Sequence, residues 1–285
     1  MPPNFVGLFT SAQLKGITVS SEYKTLLIGG RGNIGAGLRT YLPRLDERYR
    51  IVSVDLPGAK DKVTAADAQR ELVDLDIASD PAALSDLISG FDLVVYLARK
   101  GNLAEMNEMT DLVFEAVLAQ TKLPMVVASS SVHAVDGLYD FYQKDSAYWT
   151  MADRDFSAIN PWPERIAATA PAHATNDYGR EKEYAEQWCK RMAAKGHGAI
   201  AARWGGINER NAVAEVSERG YFSVWCHQED AARFVHACYQ SYLNDRLPSG
   251  AHYFVISDNT YNIFDIETPR REIGYEPVHN AETYY

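Results

Sequence analysis

A tyrosine and a lysine four positions apart are the residues in this chain best suited to proton transfer. Tyr178 and Lys182 lie in the stretch NDYGREKEYAEQW, whose pattern predicts a helix, and their spacing places both side chains on one helix face. A phenol with an ordinary pKa of about 10 is a poor base, but a neighbouring ammonium group stabilises the phenolate. We therefore predict that the pair carries the hydroxyl proton when hydride is transferred to or from a carbonyl. The alternative for so common a spacing is a solvated helix face.

Serines at the end of a preceding strand supply a second polar group for the same chemistry. The predicted strand PMVVASSS ends in serines, and open α/β sheets bind ligands at the carboxyl ends of their strands. We predict that Ser130 hydrogen-bonds the reacting oxygen, with Ser131 as the nearest alternative.

A glycine-rich turn near the start of the chain is typical of a dinucleotide site. The strand LLIG leads into GGRGNIGAGL, in which Gly29, Gly32 and Gly35 have the spacing GxxGxxG before a helical pattern. Such a turn lets backbone approach a pyrophosphate at a helix N-terminus, so we also include Asn33 and Ile34 in the predicted site. A tight strand-to-helix turn without a ligand is the alternative.

The ends of the next strands predict which dinucleotide binds. Asp55 ends the strand RIVSVD about 20 residues after the last glycine, where an acidic side chain binds the ribose hydroxyls and repels a 2′-phosphate. This favours NAD over NADP. Asp76 and Ile77 end the third strand on the adenine side, and Leu97 and Ala98 end the fourth on the nicotinamide side. An Asp after a strand is also a common turn former.

The elements that position these residues are short Val/Ile/Leu-rich strands alternating with amphipathic helical stretches. This pattern predicts an α/β fold with a doubly wound parallel sheet of the Rossmann type. We expect an N-terminal arm at 1–22, an NAD-binding domain at 23–203 with an insertion at 132–175, and a small C-terminal substrate-binding lobe at 204–285. The aromatic residues of the insertion could form a lid, a subunit contact or local packing; they are Tyr139, Phe141, Tyr142, Tyr148, Trp149 and Trp162.

Composition excludes several other classes. The 28 Lys and Arg against 38 Asp and Glu give a formal charge of -10 without a basic run, so nucleic acid is not an expected partner. Cys189, Cys226 and Cys238 are odd in number and far apart, which argues against disulfides and a zinc site; we expect no metal. No stretch reaches the length of apolar residues that spans a bilayer, and the N-terminus lacks a signal-peptide pattern. We expect a soluble, cytoplasmic protein.

GGRGNIG, Asp55, the ASS strand end and YGREK together resemble the extended short-chain dehydrogenase family, over most of residues 24–260. Within it, VWCHQEDAARFVHACYQ and the RWGG strand end are most similar to the uronate dehydrogenase group, which oxidises a cyclic hexuronate at C1 to a lactone with NAD. The resemblance implies Ser130, Tyr178 and Lys182 as the catalytic set, and Asn107 as the asparagine that organises the lysine and the cofactor.

The same resemblance implies that His133 contacts the substrate, while Arg219 lies near, but not in register with, the arginine that binds the substrate carboxylate. It also implies a carbohydrate substrate and a homodimer formed through the YxxxK helix. Three departures lie on the substrate side: YLARKGN replaces a smaller loop, Gly206 stands where a substrate-contacting serine is expected, and the insertion is longer. Cofactor chemistry therefore transfers more safely than substrate identity.

Three functions remain open at this point. The first is an NAD-dependent dehydrogenase acting on a sugar or sugar acid. The second is a sugar epimerase or dehydratase in which NAD is reduced and reoxidised within one turnover; related dehydratases carry an Asp-Glu pair after the serines, which SSVHAV lacks. The third is an NAD-binding regulator without catalysis, which the intact tyrosine and lysine disfavour. The sequence does not name the sugar.

Overall fold

The computed structural model describes residues 22–285, so the predicted N-terminal arm lies outside the described residues except for Glu22. Seven parallel strands form one sheet in the order β3-β2-β1-β4-β5-β6-β7. The strands are β1 Tyr23–Ile28, β2 Tyr49–Asp55, β3 Glu71–Asp74, β4 Leu93–Tyr96, β5 Met125–Ser131, β6 Ala199–Trp204 and β7 His252–Val255. The strand order reverses between β1 and β4, so the predicted doubly wound α/β fold is confirmed.

Helices cover both faces of this sheet. They are α1 Asn33–Leu45, α2 Pro81–Ile88, α3 Leu103–Leu118, α4 Ala147–Ala152, α5 Asp177–Ala194, α6 Tyr221–Val224, α7 Gln228–Leu243 and α8 Glu267–Ile273, with 3-10 helices at Val132–Leu138, Phe156–Ala158 and Ala281–Tyr284. Two hydrophobic cores include residues of these helices: the first contains residues of α1 and α7, and the second contains residues of α2, α3 and α5. Central strands such as β4 are buried throughout, which explains their continuous apolar sequence.

The start of α5 is fixed by polar side chains. Asn176 caps the helix by accepting a hydrogen bond from the Gly179 N–H (2.9 Å), and Asp136 accepts hydrogen bonds from the Asn176 amide and the Thr175 N–H (2.7 Å each). Asp136 belongs to the 3-10 helix that follows β5. This pairing places Tyr178, in the first turn of α5, beside the end of β5.

The predicted boundary between 203 and 204 does not divide the sheet. Beyond it, β7 adds the seventh strand beside β6, and α7 packs against α1. A third core joins the remaining C-terminal residues to the insertion, with Phe141, Ile166 and Phe264 among its buried members. The C-terminal residues therefore complete the main domain as well as contributing to a lobe over one end of it.

Within residues 22–285, no helix combines the length and the apolar character needed to cross a bilayer.

Candidate active site

Two cavities meet at the carboxyl edge of the sheet. The first, of about 400 Å³, contains the serines that end β5 together with Tyr178, and the second, of about 320 Å³, extends toward the ends of β2 and β3. Both are lined by Gly29, Gly32 and Leu97, so together they form one cleft around the glycine turn. The cleft lies where the strand order reverses, which is the usual ligand site of this fold.

The glycine turn has the close contacts that its sequence predicts. Gly29 has φ +88°, and a Cβ there would lie 2.4 Å from the Ala98 nitrogen. A Cβ on Gly35 would lie 2.3 Å from the Gly30 oxygen, so the helix packs directly on the turn. A Cβ on Gly32 would lie 3.8 Å from the nearest atom, the Gly29 oxygen, because this residue faces the open cleft at the uncapped N-terminus of α1.

Asp55 lies in the part of the cleft where the sequence predicts the adenosine side. Its carboxylate accepts hydrogen bonds from the Arg31 N–H (3.1 Å) and the Leu56 N–H (2.9 Å). The same cavity is lined by Asp55, Asp76, Ile77, Leu97 and Ala98. Arg31, between the first two glycines of the motif, pairs its guanidinium with Asp74 and donates to the carbonyls of Leu56 and Ala59.

These residues fit a dinucleotide. The Asp55 carboxylate lies where ribose hydroxyls would donate to it, and the Arg31 cation is already neutralised rather than free for a 2′-phosphate. Asn33 Oδ1 and Asn107 Oδ1 are buried and lack a hydrogen-bond partner among the described residues. Buried oxygens of this kind can accept hydrogen bonds from a bound ligand. The role of Asn107 stays a prediction, because no described contact joins it to Lys182.

Four side chains surround the phenol of Tyr178. The Lys182 Nζ lies 5.2 Å and the Arg99 Cζ 5.0 Å from the centre of its ring, and the His133 ring meets it edge-on at 5.5 Å. Burial raises the pKa of the Tyr178 phenol, while a hydrogen bond with Ser131 and the charge of Arg99 act in the opposite direction. The phenol is therefore protonated at neutral pH in this arrangement.

The serine that hydrogen-bonds the Tyr178 phenol is Ser131, which the sequence offered as the alternative to Ser130. The Ser130 hydroxyl is buried and donates to Glu186 Oε1 (2.7 Å), which in turn pairs with Arg203. Successive residues of a strand face opposite sides of the sheet, so only one of the two hydroxyls can face the phenol. Ser131 Oγ accepts the His133 N–H (3.2 Å), which leaves its own proton available to the reacting oxygen.

A buried carboxylate beside Lys182 was missed by the sequence analysis. Glu181 is only 1% exposed, and its carboxylate lies 3.2 Å from the Lys182 Nζ and 2.7 Å from the Arg99 Nε. Burial lowers the pKa of Lys182, and the charge of Glu181 opposes that effect. Of the two cations beside the phenol, Arg99 is the one whose charge lowers the Tyr178 pKa. The unusual strand end YLARKGN was the available signal for Arg99.

The substrate side is a further cavity of about 670 Å³ under the insertion. His133 lines both this cavity and the one at the phenol, as its predicted role requires. Arg219 does not offer a free guanidinium: it pairs with Asp153 (2.8 Å) and lies 3.9 Å above the Trp149 ring. A Cβ on Gly206 would lie 2.2 Å from the Tyr221 ring, which explains why the expected serine is absent there.

Comparisons with known proteins agree with this architecture. The family model described as "NAD dependent epimerase/dehydratase family" matches residues 25–205. Uronate dehydrogenase from Agrobacterium tumefaciens is 21% identical with a TM-score of 0.66, covering 92% of this chain and 86% of that one. A tyrosine-to-alanine variant of that enzyme, solved with NAD, is 19% identical with a TM-score of 0.68, covering 93% and 88%.

A dTDP-glucose 4,6-dehydratase from Streptomyces venezuelae, also solved with NAD, is 14% identical with a TM-score of 0.57, covering 90% of this chain and 92% of that one. No curated protein sequence matches the chain. At these identities the solved structures establish a shared fold, and they include both dehydrogenases and dehydratases.

Proposed function

This chain belongs to the NAD-dependent epimerase/dehydratase family, and we propose that within it the protein is a dehydrogenase that oxidises a hydroxyl of a sugar or sugar acid. The family is NAD-dependent, in agreement with the cofactor predicted from Asp55. The observation that carries the proposal is the position of the Tyr178 phenol: it lines the cavity at the glycine turn, within hydrogen-bonding reach of Ser131 and between two cations.

The chain's own residues account for proton transfer in this reaction. Ser131 donates to the substrate oxygen and orients its hydroxyl, and the Tyr178 phenolate accepts the proton of that hydroxyl as the C–O bond becomes a carbonyl. The Arg99 charge favours the phenolate, which burial alone would disfavour. Lys182, held by Glu181, lies beside the same ring. NAD, when bound, supplies the acceptor for the hydride that leaves the substrate carbon.

A screen of NAD reduction tests the proposal. We expect steady NADH formation, followed at 340 nm, with at least one compound from a panel of aldoses, uronic acids and sugar phosphates. If the protein binds NAD but reduces it with no member of the panel, the dehydrogenase proposal is wrong. Release of no NADH from a protein that retains NAD tightly and converts nucleotide sugars would instead identify an epimerase or dehydratase.

A further inference from the structure

The charges around the substrate side of the cleft restrict what can bind there. We infer that the substrate is an uncharged carbohydrate, not a sugar acid, a sugar phosphate or a nucleotide sugar. This inference rests on the proposed function, whose site it specifies. It differs from what similarity to uronate dehydrogenase alone would suggest, because it follows from side chains of this chain that face the cavities.

Glu218 is the central residue of the argument. Among the described residues that line the cavity at the phenol, it is the only Asp, Glu, Lys or Arg, and it also lines the neighbouring cavity under the insertion. Its side chain is exposed. Burial raises the pKa of Tyr221, in the first cavity, to about 12, and that of Tyr139, in the second; the Glu218 charge contributes in both cases. Its negative charge therefore acts on both cavities.

Among the described residues, no free cation offsets Glu218 on this side. Of those that line the cavity at the phenol or the cavity under the insertion, only Arg219 is a Lys or Arg, and the two cations beside the phenol, Arg99 and Lys182, are both paired with Glu181. Besides its ion pair with Asp153, Arg219 donates from Nε to the Phe141 carbonyl and from Nη2 to the Trp149 carbonyl, each at 3.2 Å. The guanidinium is therefore committed to holding the insertion, and a substrate carboxylate would have to displace these partners.

The other charged groups on this side are carboxylates, which can accept hydrogen bonds from hydroxyls. Asp140 lines the cavity under the insertion together with the ring of Tyr148, and Asp136 lines it too, with its two oxygens already accepting from Thr175 and Asn176. Carboxylates accept hydrogen bonds from sugar hydroxyls, and aromatic rings pack against their C–H faces, whereas a second negative charge is repelled. Because Glu218 is exposed, solvent and salt weaken this repulsion, and we expect it to change an equilibrium by several-fold.

Matched substrate pairs test the inference. We compare D-glucose with D-glucuronate, D-galactose with D-galacturonate, and D-glucose with its 6-phosphate, measuring kcat/KM by NADH formation. Calorimetric titration of the NADH-loaded protein with the same compounds gives a second readout. We expect the neutral member to exceed its anionic partner several-fold, by more at low salt than at high salt.

The two proposals fail in different ways. If no compound yields NADH, the proposed oxidation is wrong, but tighter binding of the neutral members would still support the uncharged substrate class. Equal or better turnover or binding of an acid or phosphate would overturn the inference while leaving the dehydrogenase proposal intact. Failure of every neutral sugar to bind would overturn it as well.

A substitution at Glu218 tests the physical cause. Glu218→Gln removes the charge and keeps the shape, so the ratio of kcat/KM or affinity between acid and neutral sugar should rise several-fold toward unity. Glu215→Gln is the matched control: it removes an exposed carboxylate of the same segment that lines neither substrate-side cavity. An unchanged ratio in Glu218→Gln, or an equal change in both variants, would overturn the assignment to Glu218.

Discussion

The oxygen of Tyr178 is the one atom on which the proposed proton transfer depends. Tyr178→Phe removes it while leaving the ring among its neighbours, so kcat should fall about 100- to 10,000-fold with NAD affinity retained. Tyr184→Phe is the control, because that phenol is on the same helix but donates to Asp111 on α3. Steady-state NADH formation and a NAD titration provide the two measurements; comparable losses of activity in both variants would contradict the assignment.

The charges next to this oxygen should set the pH dependence of oxidation. Burial raises the Tyr178 pKa, so the rate should increase as pH rises through that value and the phenolate forms. Arg99 lowers this pKa and Glu181 raises it, so Arg99→Gln should move the kcat profile toward higher pH and Glu181→Gln toward lower pH. Profiles of kcat against pH decide this, with Arg180→Gln, an exposed cation of the same helix, as control. Shifts in the same direction for both variants would contradict the opposing roles.

The two serines at the end of β5 should differ in what their loss affects. Ser131→Ala removes the hydroxyl that faces the phenol, so kcat should fall roughly 100-fold. Ser130→Ala removes one buried donor to Glu186 and leaves only those of Arg203, so the free energy of unfolding should fall by about 1 kcal/mol. Kinetics and urea denaturation on both variants measure this contrast, and a larger loss of kcat in Ser130→Ala would restore the sequence-based choice.

Residue types were predictable here, but their pairing was not. A strand of three consecutive serines does not reveal which hydroxyl faces the cleft, because that depends on the partner that takes the other one. The Ser130 hydroxyl is directed inward by Glu186, which lies 56 residues later in the sequence. Glu186 is in turn paired with Arg203, 17 residues further along. The same applies to Arg99 and Glu181, whose ion pair joins residues 82 apart. Contacts of this range appear only when the sheet is assembled.

At the scale of elements, the glycine turn contains one glycine that faces the open cleft and one that is tightly packed, and single substitutions distinguish their roles. Gly32→Ala places a methyl group into open cleft, so NAD affinity should fall about tenfold, or about 1.4 kcal/mol, without loss of stability. Gly30→Ala places it 2.3 Å from Ser53 Oγ and 2.8 Å from Leu27 Cβ, so it should cost about 1–3 kcal/mol of folding free energy. Calorimetry with NAD and thermal unfolding measure the two effects. Loss of stability in Gly32→Ala equal to that in Gly30→Ala would contradict the distinction.

The regular elements followed from the sequence because their patterns are local. The strand and helix alternation predicts the sheet, because each strand and each helix has its own hydrophobic period. The insertion has no such periodicity: its aromatic residues pack with residues of the C-terminal part in a shared core, so its structure depends on distant partners. Tyr148 and Phe141 both line the cavity under the insertion, although Phe141 is also a buried member of that core.

For the whole molecule, a pair of stacked histidines links stability to pH. The rings of His227 and His279 lie 3.6 Å apart, and burial, with His279 nearby, lowers the pKa of His227 from 6.5 to about 4. The unfolded chain therefore binds more protons than the folded one between these values, and His227 makes stability fall as pH falls through this window. His227→Asn, which keeps a capping side chain, should weaken this loss.

Chemical denaturation of both proteins at pH 7.5, 6 and 5 measures the difference. His197→Asn, at a site outside this stack, is the control. An equally steep decline in His227→Asn and the native protein would contradict the role of His227. A metal is not needed to explain this cluster, since the Glu229 carboxylate pairs with both Arg233 (2.9 Å) and His279 (3.0 Å), and His227 Nδ1 accepts the Glu229 N–H (3.0 Å).

The expected division of the chain at residue 203 does not coincide with an edge of the sheet. Sequence rhythm changes there, but β7 still joins the sheet, because an open parallel sheet accepts another strand at its edge wherever in the chain it comes from. The spacing of apolar residues along the chain reflects local structure. Whether a strand joins the sheet depends instead on the free edge that β6 leaves.

The core shared by the insertion and the C-terminal residues also limits how such enzymes can be recombined. Ile166 pairs with Phe264 as an isolated parallel bridge, and Arg154 joins Glu282 at 2.8 Å while lying over the Tyr285 ring. A chimera that takes only its last 80 or so residues from a relative would leave these surfaces facing a foreign counterpart. Crossover points for exchanging specificity should therefore be chosen in pairs, so that the insertion and the C-terminal residues are exchanged together.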